Sequence, residues 1–505
     1  MDKSRKTKAK LNIVITFVCQ ILNLICGLIV PRLLITSFGS EAFGATTSIA
    51  NFLSYITLLE GGIGGVARAA LYKPLATDNK KEISQIIYEI KRLFRIIGLV
   101  FSLYVLILAV IYKDIAHFSI YTWFESFLLV LVISLTTFGQ YFIGMSYQVL
   151  LQAAQQTYIT QAINIFTTLL NTIMIVILVQ VDTSLILVKF LSSCVFLLRP
   201  TLMWLYVKRK FDLPKASKPP KGTTYLKQKW SGLGQHLAFF LFNNTDVAVL
   251  TIMKSLTSVS IYSVYHNVVE QMRNIVNSFA TGMEALFGDM LARQEYPALK
   301  RTFNYYENFI SVVSVCLFSV TAVMIVPFIR IYTAGVSDAD YIHPWFALVL
   351  VLAALVACLR VPYHSMTIAA GHFRQTQWAA YGEAIINIAM SVAMVHAFGL
   401  IGVAIGTLTA TVFRFVYYVI YLKKHILERS PSLFIRRELI NGLVFVLIFV
   451  TGVILSEFFT MKSYLQLIVF AIPVTILAII ITFGLNAFFY PQDFKSVLSK
   501  LFRKA

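Results

Sequence analysis

The sequence predicts an all-α polytopic membrane protein with about 14 transmembrane helices, two six-helix lobes followed by two C-terminal helices. Three observations carry that expectation. Of 505 residues, 58% are hydrophobic and only 13% charged, outside the range of water-soluble domains. Apolar stretches long enough to cross a hydrocarbon core, roughly 20 residues each, recur along the whole chain. The basic residues between them alternate from connection to connection as the positive-inside rule requires.

The first stretch, 11–37, follows the basic run Lys3, Arg5, Lys6, Lys8 and Lys10. It is too long for a signal-peptide core and no small-residue cleavage site follows it, so it is expected as a retained helix. The next five are read at 41–71, 93–112, 122–150, 159–181 and 185–207, completing an N-terminal six-helix lobe, 1–207. The longest polar insertion, 208–230, includes Lys215-Ala-Ser-Lys-Pro-Pro-Lys-Gly222 and has the composition of a linker. Six more stretches, 231–254, 257–293, 305–332, 342–370, 376–398 and 399–422, make a C-terminal lobe, 231–422. A charged loop with Lys423, Lys424, Arg429, Arg436 and Arg437 precedes a further helix pair at 438–458 and 464–489, and a basic tail closes the last region, 423–505.

Of 43 Lys and Arg, eight lie within spans, and with a cytoplasmic N-terminus only Lys113, Lys254 and Lys462 face outward; the other 32, span edges included, face inward. That asymmetry predicts both termini in the cytoplasm and an even number of spans. The net charge of +20 is thereby assigned to topology and to contact with anionic lipid; no nucleic-acid partner is expected. Cys19, Cys26, Cys194, Cys316 and Cys358 all lie in spans without metal-ligand spacing and read as packing residues. The sequence lacks a GxxxxGK[ST] loop for ATP hydrolysis, and no connection is large enough for a catalytic domain. An enzyme is not expected, and no cofactor beyond H⁺ or Na⁺ as a coupling ion.

A weak internal echo links the lobes. Asn51 lies seven residues after Gly44, and Asn267 seven after Ser260. Duplication of an even-numbered unit gives parallel repeats, with a cargo path between them.

A charge at mid-bilayer costs at least about 2.5–3.5 kcal/mol, so buried ions mark partners or substrate paths. The cations within spans are Arg32, Arg68, Lys189, Arg199, Arg273, Arg330, Arg360 and Arg414. Arg330 and Lys189 lie near outer span ends, and Arg414 can snorkel to the inner surface. Arg68, Arg199, Arg273 and Arg360 remain as candidates for an anionic cargo, because the guanidinium fork pairs with phosphate and stays protonated when buried. Glu270, Arg273, Asn277 and Glu284 follow at helical spacing and predict one polar stripe on the eighth span; a neutral Glu270–Arg273 packing pair is the plainer reading. Glu60, Gly64 and Arg68 share a side of the second span, with Glu60 and Arg68 about 12 Å apart along the axis. Asp246 sits midway along the seventh span as an ion site or a counter-ion to Arg273 or Arg68. Glu383, Asn387 and Ser391 form another stripe, with Arg360 or Arg414 as structural partners for Glu383. Gly402, Gly406 and Ala410 form a small-residue seam of the kind that packs helices closely. His266 and His364 read as packing residues, and the tyrosines as interfacial anchors.

Pro31-Arg32-Leu33-Leu34, then Phe38-Gly39-Ser40-Glu41-Ala42-Phe43-Gly44, Glu60-Gly61-Gly62-Ile63-Gly64 and Arg68 resemble the N-terminal signature of Wzx-type polysaccharide flippases of the multidrug/oligosaccharidyl-lipid/polysaccharide exporter superfamily. Asn244, Asp246 and Ser260-Ile261-Tyr262 resemble the second-lobe motif, with Ser260 where Gly is common. Gly371-His372-Phe373-Arg374-Gln375-Thr376, with Glu383, Asn387, Gly399, Gly402 and Gly406-Thr407, resemble the subgroup that exports oligosaccharides and teichoic-acid-like polymers. The resemblance implies a V-shaped pair of lobes in a bacterial cytoplasmic membrane. It also implies an undecaprenyl-diphosphate-linked glycan as cargo, moved to the outer leaflet by alternating access through a cationic central cavity, with the polymerase and assembly proteins of surface polysaccharide as further partners. Arg68 and Arg273 take the diphosphate role in its recognisable segments, and Arg199 and Arg360 join them on the physical argument; Glu60, Asp246, Glu270 and Glu284 are the cavity or ion-coupling acids. The last two spans also occur in related lipid II flippases, which stand as one alternative. A cation-coupled multidrug antiporter is another, although it favours an acidic cavity over these arginines.

Overall fold

The computed structural model describes residues 3–60, 63–214, 220, 225, 233–427 and 431–489. Gly61, Gly62, most of the expected linker and all of the basic tail lie outside them. The described residues form eighteen α-helices and no strands. In chain order these are α1 (Lys3–Phe38), α2 (Ser40–Ser54), α3 (Ile63–Ala76), α4 (Lys80–Ala116), α5 (Trp123–Gly139), α6 (Met145–Ala153), α7 (Thr157–Gln180), α8 (Leu185–Lys210) and α9 (Leu233–Met253). There follow α10 (Leu256–Asn277), α11 (Ala280–Ala292), α12 (Tyr296–Tyr332), α13 (Pro344–Leu359), α14 (Val361–Ala369), α15 (Phe373–Phe398), α16 (Leu400–His425), α17 (Pro431–Ser456) and α18 (Tyr464–Phe489).

Thirteen helical segments among the described residues are long and apolar enough to cross a membrane. The difference from fourteen lies at 257–293, where the expected single helix is broken after Asn277 into α10 and α11. The predicted stripe is interrupted there: Glu270 and Arg273 lie on α10, Glu284 on α11. The second span is broken too, with a 3₁₀ turn at Tyr55–Glu60 between α2 and α3, so Glu60 and Arg68 do not share one straight helix.

The chain divides into two compact units, Met1–Phe240 with Ser255–Ser260, and Leu241–Lys254 with Ile261–Ala505. In the first, α1 packs on α7, α7 and α5 pack on α8, and α4 packs on α5. Local signals fix the helix starts. The Asn79 side chain accepts the Glu82 amide at 3.2 Å to begin α4, and Thr122 with Glu125 forms a capping box at α5. Phe94, Phe101 and Tyr112 lie on the buried face of α4. A π-turn at Gln140–Gly144 separates α5 from α6, and the short α6 packs on α3.

The second unit repeats that local pattern. Arg360 interrupts the tenth span, with Pro362 in the first turn of α14, where its missing N–H costs nothing; α14 then packs on α11. The glycine seam brings α16 against α15: a side chain at Gly402 would meet the Met394 carbonyl, and one at Gly406 the Ser391 hydroxyl. The last pair, α17 and α18, packs on α12. Arg437, expected in the loop before that pair, is instead buried on α17 and donates to Glu307 of α12, which also accepts from the Tyr363 hydroxyl. The helix begins earlier than hydropathy suggests because this pairing lets the guanidinium be buried.

Candidate functional site

The first unit holds two candidate cations with neutral partners. Arg68 is half-buried on α3 and donates to the Gln152 side-chain oxygen of α6 at 2.9 Å. Arg199 on α8 donates through Nε to Thr167 at 2.8 Å and through Nη2 to Thr168 at 2.9 Å, both on α7. Its guanidinium lies 4.2 Å over the Phe196 ring, a cation–π contact. No carboxylate pairs with either arginine among the described residues. Hydroxyls and an amide orient a guanidinium while leaving its charge in force, as recognition of an anion requires. In the same unit Glu60 accepts a hydrogen bond from the Tyr141 hydroxyl in the π-turn, so the break in the second span is tied to the break in the fourth.

The second unit treats its cations differently. Arg273 lies 2.8 Å from Glu270 one helical turn away, the pair that α-helical i, i+3 spacing allows. Arg360 and Arg414 each donate to a different oxygen of Glu383, whose side chain is fully buried on α15. Arg414 also donates to the Tyr418 hydroxyl at 3.0 Å. Arg414, expected to snorkel, is thus held inside the bundle, because a buried acid one helix away is a better partner than distant water. Glu284 accepts from Ser365 of α14 at 3.3 Å.

Asp246 is the centre of a polar cluster within this unit. It is 4% exposed and accepts from Tyr262 and Thr407, each at 2.8 Å, and from the Asn387 amide at 3.2 Å. Ser391 donates to the Asn387 oxygen at 3.1 Å, and the Tyr262 ring stacks on His266 with centroids 5.2 Å apart. A cavity of about 30 Å³ adjoins the cluster, lined among others by Asp246, Tyr262, His266, Arg273 and Thr407. That volume is on the scale of a water molecule, the size of a proton carrier or a small ion.

Several residues of these sites escaped the sequence reading. Tyr141, Gln152 and Glu307 are polar residues in apolar stretches, and for Glu307 the signal was present: an acid well inside the 37-residue helix α12. Tyr141 and Gln152 carry no such mark, since each is an unremarkable residue until its partner is known.

No family model matches the sequence, and no curated protein matches it. Solved structures do. A lipid II flippase, MurJ, in an inward closed conformation aligns over 95% of this chain and 99% of its own, with a TM-score of 0.68 at 16% identity. An inward-facing multidrug resistance MATE family transporter of the MOP superfamily aligns over 80% of this chain and 96% of its own, with a TM-score of 0.66 at 13% identity. A Vibrio cholerae MATE transporter, VcmN, gives 0.55 at 14% identity over 84% of this chain and 99% of its own. At these identities the likeness is one of fold: the chain is a multi-pass membrane protein with the helical fold of the MOP-superfamily transporters MurJ and MATE.

Proposed function

We propose that this chain is a flippase that moves an undecaprenyl-diphosphate-linked oligosaccharide from the cytoplasmic to the outer leaflet by alternating access. The observation that carries the reading is the pair Arg68 and Arg199, each fixed by neutral side chains. Such an arrangement suits a diphosphate and disfavours an organic cation, whose burial needs acids instead. The polar head group cannot cross hydrocarbon without replacement for its water, while the prenyl tail stays in lipid. Arg273 and Arg360 are further candidate head-group contacts in this reading, but each has a carboxylate partner to exchange. Asp246, which accepts from two hydroxyls and from the Asn387 amide nitrogen, is the coupling position for H⁺ or Na⁺ through its carboxylate oxygens, and Glu60 is its counterpart in the first unit. The termini are cytoplasmic and the membrane is the bacterial cytoplasmic one. A lipid II type of cargo is the second reading, favoured by the alignment with MurJ over nearly the full length of both chains; it uses the same diphosphate contacts.

Transport of a lipid-linked oligosaccharide into reconstituted vesicles tests the head-group sites. Arg68→Ala and Arg199→Ala are each expected to slow flipping by tenfold or more, the ~1.5–3 kcal/mol of a charge-assisted hydrogen bond. Wild-type flipping in both variants refutes the assignment.

A further inference from the structure

The second unit carries an apolar cavity of about 620 Å³ where α12 ends, α13 begins and α17 ends. This is the end of α12 remote from Lys300 and Arg301, and the outer end on the proposed topology. Val323, Pro327, Leu348 and Phe449 are among its apolar walls. Val323 belongs to a buried apolar cluster with Phe470 and Val474. Two charged side chains line the cavity, Arg330 and Glu457. Both are exposed, and neither makes an ion pair or a side-chain hydrogen bond among the described residues. Trp345, 70% exposed, lines the same cavity and has the amphipathic ring typical of a membrane–water boundary.

Opposite charges that share an apolar cavity without pairing suit a ligand that has both charges and a hydrocarbon part. A glycan would leave the apolar walls without use, because its hydroxyls need donors and acceptors that these residues lack. An anionic lipid would meet Arg330 but set its charge against Glu457. A lone organic cation would do the reverse. We propose that this cavity binds a zwitterionic phospholipid with a primary amine, its phosphate on Arg330, its ammonium on Glu457 and an acyl chain along Val323, Leu348 and Phe449. Such a lipid would be a resident of the protein rather than its cargo, because none of the candidate head-group arginines lines this cavity.

The full chain purified in detergent and titrated with phosphatidylethanolamine, phosphatidylglycerol or diacylglycerol, with bound lipid counted by native mass spectrometry, tests this. Wild type is expected to retain phosphatidylethanolamine about fivefold better than phosphatidylglycerol, the size of one interfacial charge contact, and to retain diacylglycerol least. Arg330→Gln should weaken phosphatidylethanolamine retention about fivefold. Glu457→Gln should do the same and, by removing the repulsion, abolish the preference over phosphatidylglycerol. Both side chains are exposed, so unchanged gel filtration and lipid-free melting serve as controls for folding. Equal retention of the two phospholipids by wild type, or wild-type retention in both variants, overturns the proposal and leaves only nonspecific annular lipid.

Discussion

Replacing Glu383 by Gln is predicted to destabilise the protein more than replacing either arginine it holds. The carboxylate is fully buried and accepts from Arg360 and Arg414, whose side chains are 13% and 11% exposed. Removing one partner of a buried ion pair typically costs about 3–5 kcal/mol, because the other charge stays behind uncompensated. Here the loss strands two cations close together, so the cost falls at the upper end of that range. Removing one arginine instead leaves a one-to-one pair: Arg360→Met and Arg414→Met should each cost less than Glu383→Gln, with Arg414→Met the worse of the two because Tyr418 also loses a donor at 3.0 Å. The assay is thermal unfolding of the purified chain in detergent, followed by tryptophan fluorescence. A fall of roughly 10 °C is expected for Glu383→Gln, using about 2–4 °C per kcal/mol. If Arg360→Met lowers the midpoint as much as Glu383→Gln, the triad is not an electrostatic clamp and the reasoning fails.

Two further outcomes are expected. Asp246→Asn keeps the shape of the cluster but removes its charge, so flipping should lose its dependence on a proton or sodium gradient, a change of at least about fivefold in the gradient effect; gradient dependence equal to wild type refutes Asp246 as the coupling group. Gly402→Val drives a branched side chain into the Met394 carbonyl and should cost about 1–3 kcal/mol by overpacking, seen as a lower melting midpoint than Gly442→Val, where nothing lies within 4 Å of the added carbon.

Hydropathy made most of the helices legible, because apolar length is a property of each segment alone. The breaks were harder. The stretch 342–370 was read as one span although Pro362 was a signal for the interruption at Arg360, since proline disfavours helix shortly before it; Asn277–Ala280 offers no proline, and its break depends on what α11 packs against. Charges were legible as exceptions, and the pair Glu270–Arg273 on one helix was legible too; pairs between helices were legible only in part. The sequence showed that Arg360, Glu383 and Arg414 were all costly, and proposed Arg360 or Arg414 as a partner for Glu383; that one acid serves both depends on the approach of α14, α15 and α16. The neutral partners of Arg68 and Arg199 could not be read at all, because glutamine and threonine at those positions are ordinary until the neighbouring helix is known.

The contact between Arg437 and Glu307 bears on how this chain can have changed length. Helices at the end of a polytopic chain are easily regarded as optional additions, gained or lost without harm to what precedes them. Here α12 contains an acid whose cationic partner comes from beyond residue 430, so a chain cut after His425 would keep that carboxylate in its interior with the Tyr363 hydroxyl but without the Arg437 charge. A shorter relative would therefore need an apolar or amide residue at the position of Glu307 before it could dispense with the last two helices. The ancestry of the terminal pair should be traceable at that single internal position, well upstream of the pair itself.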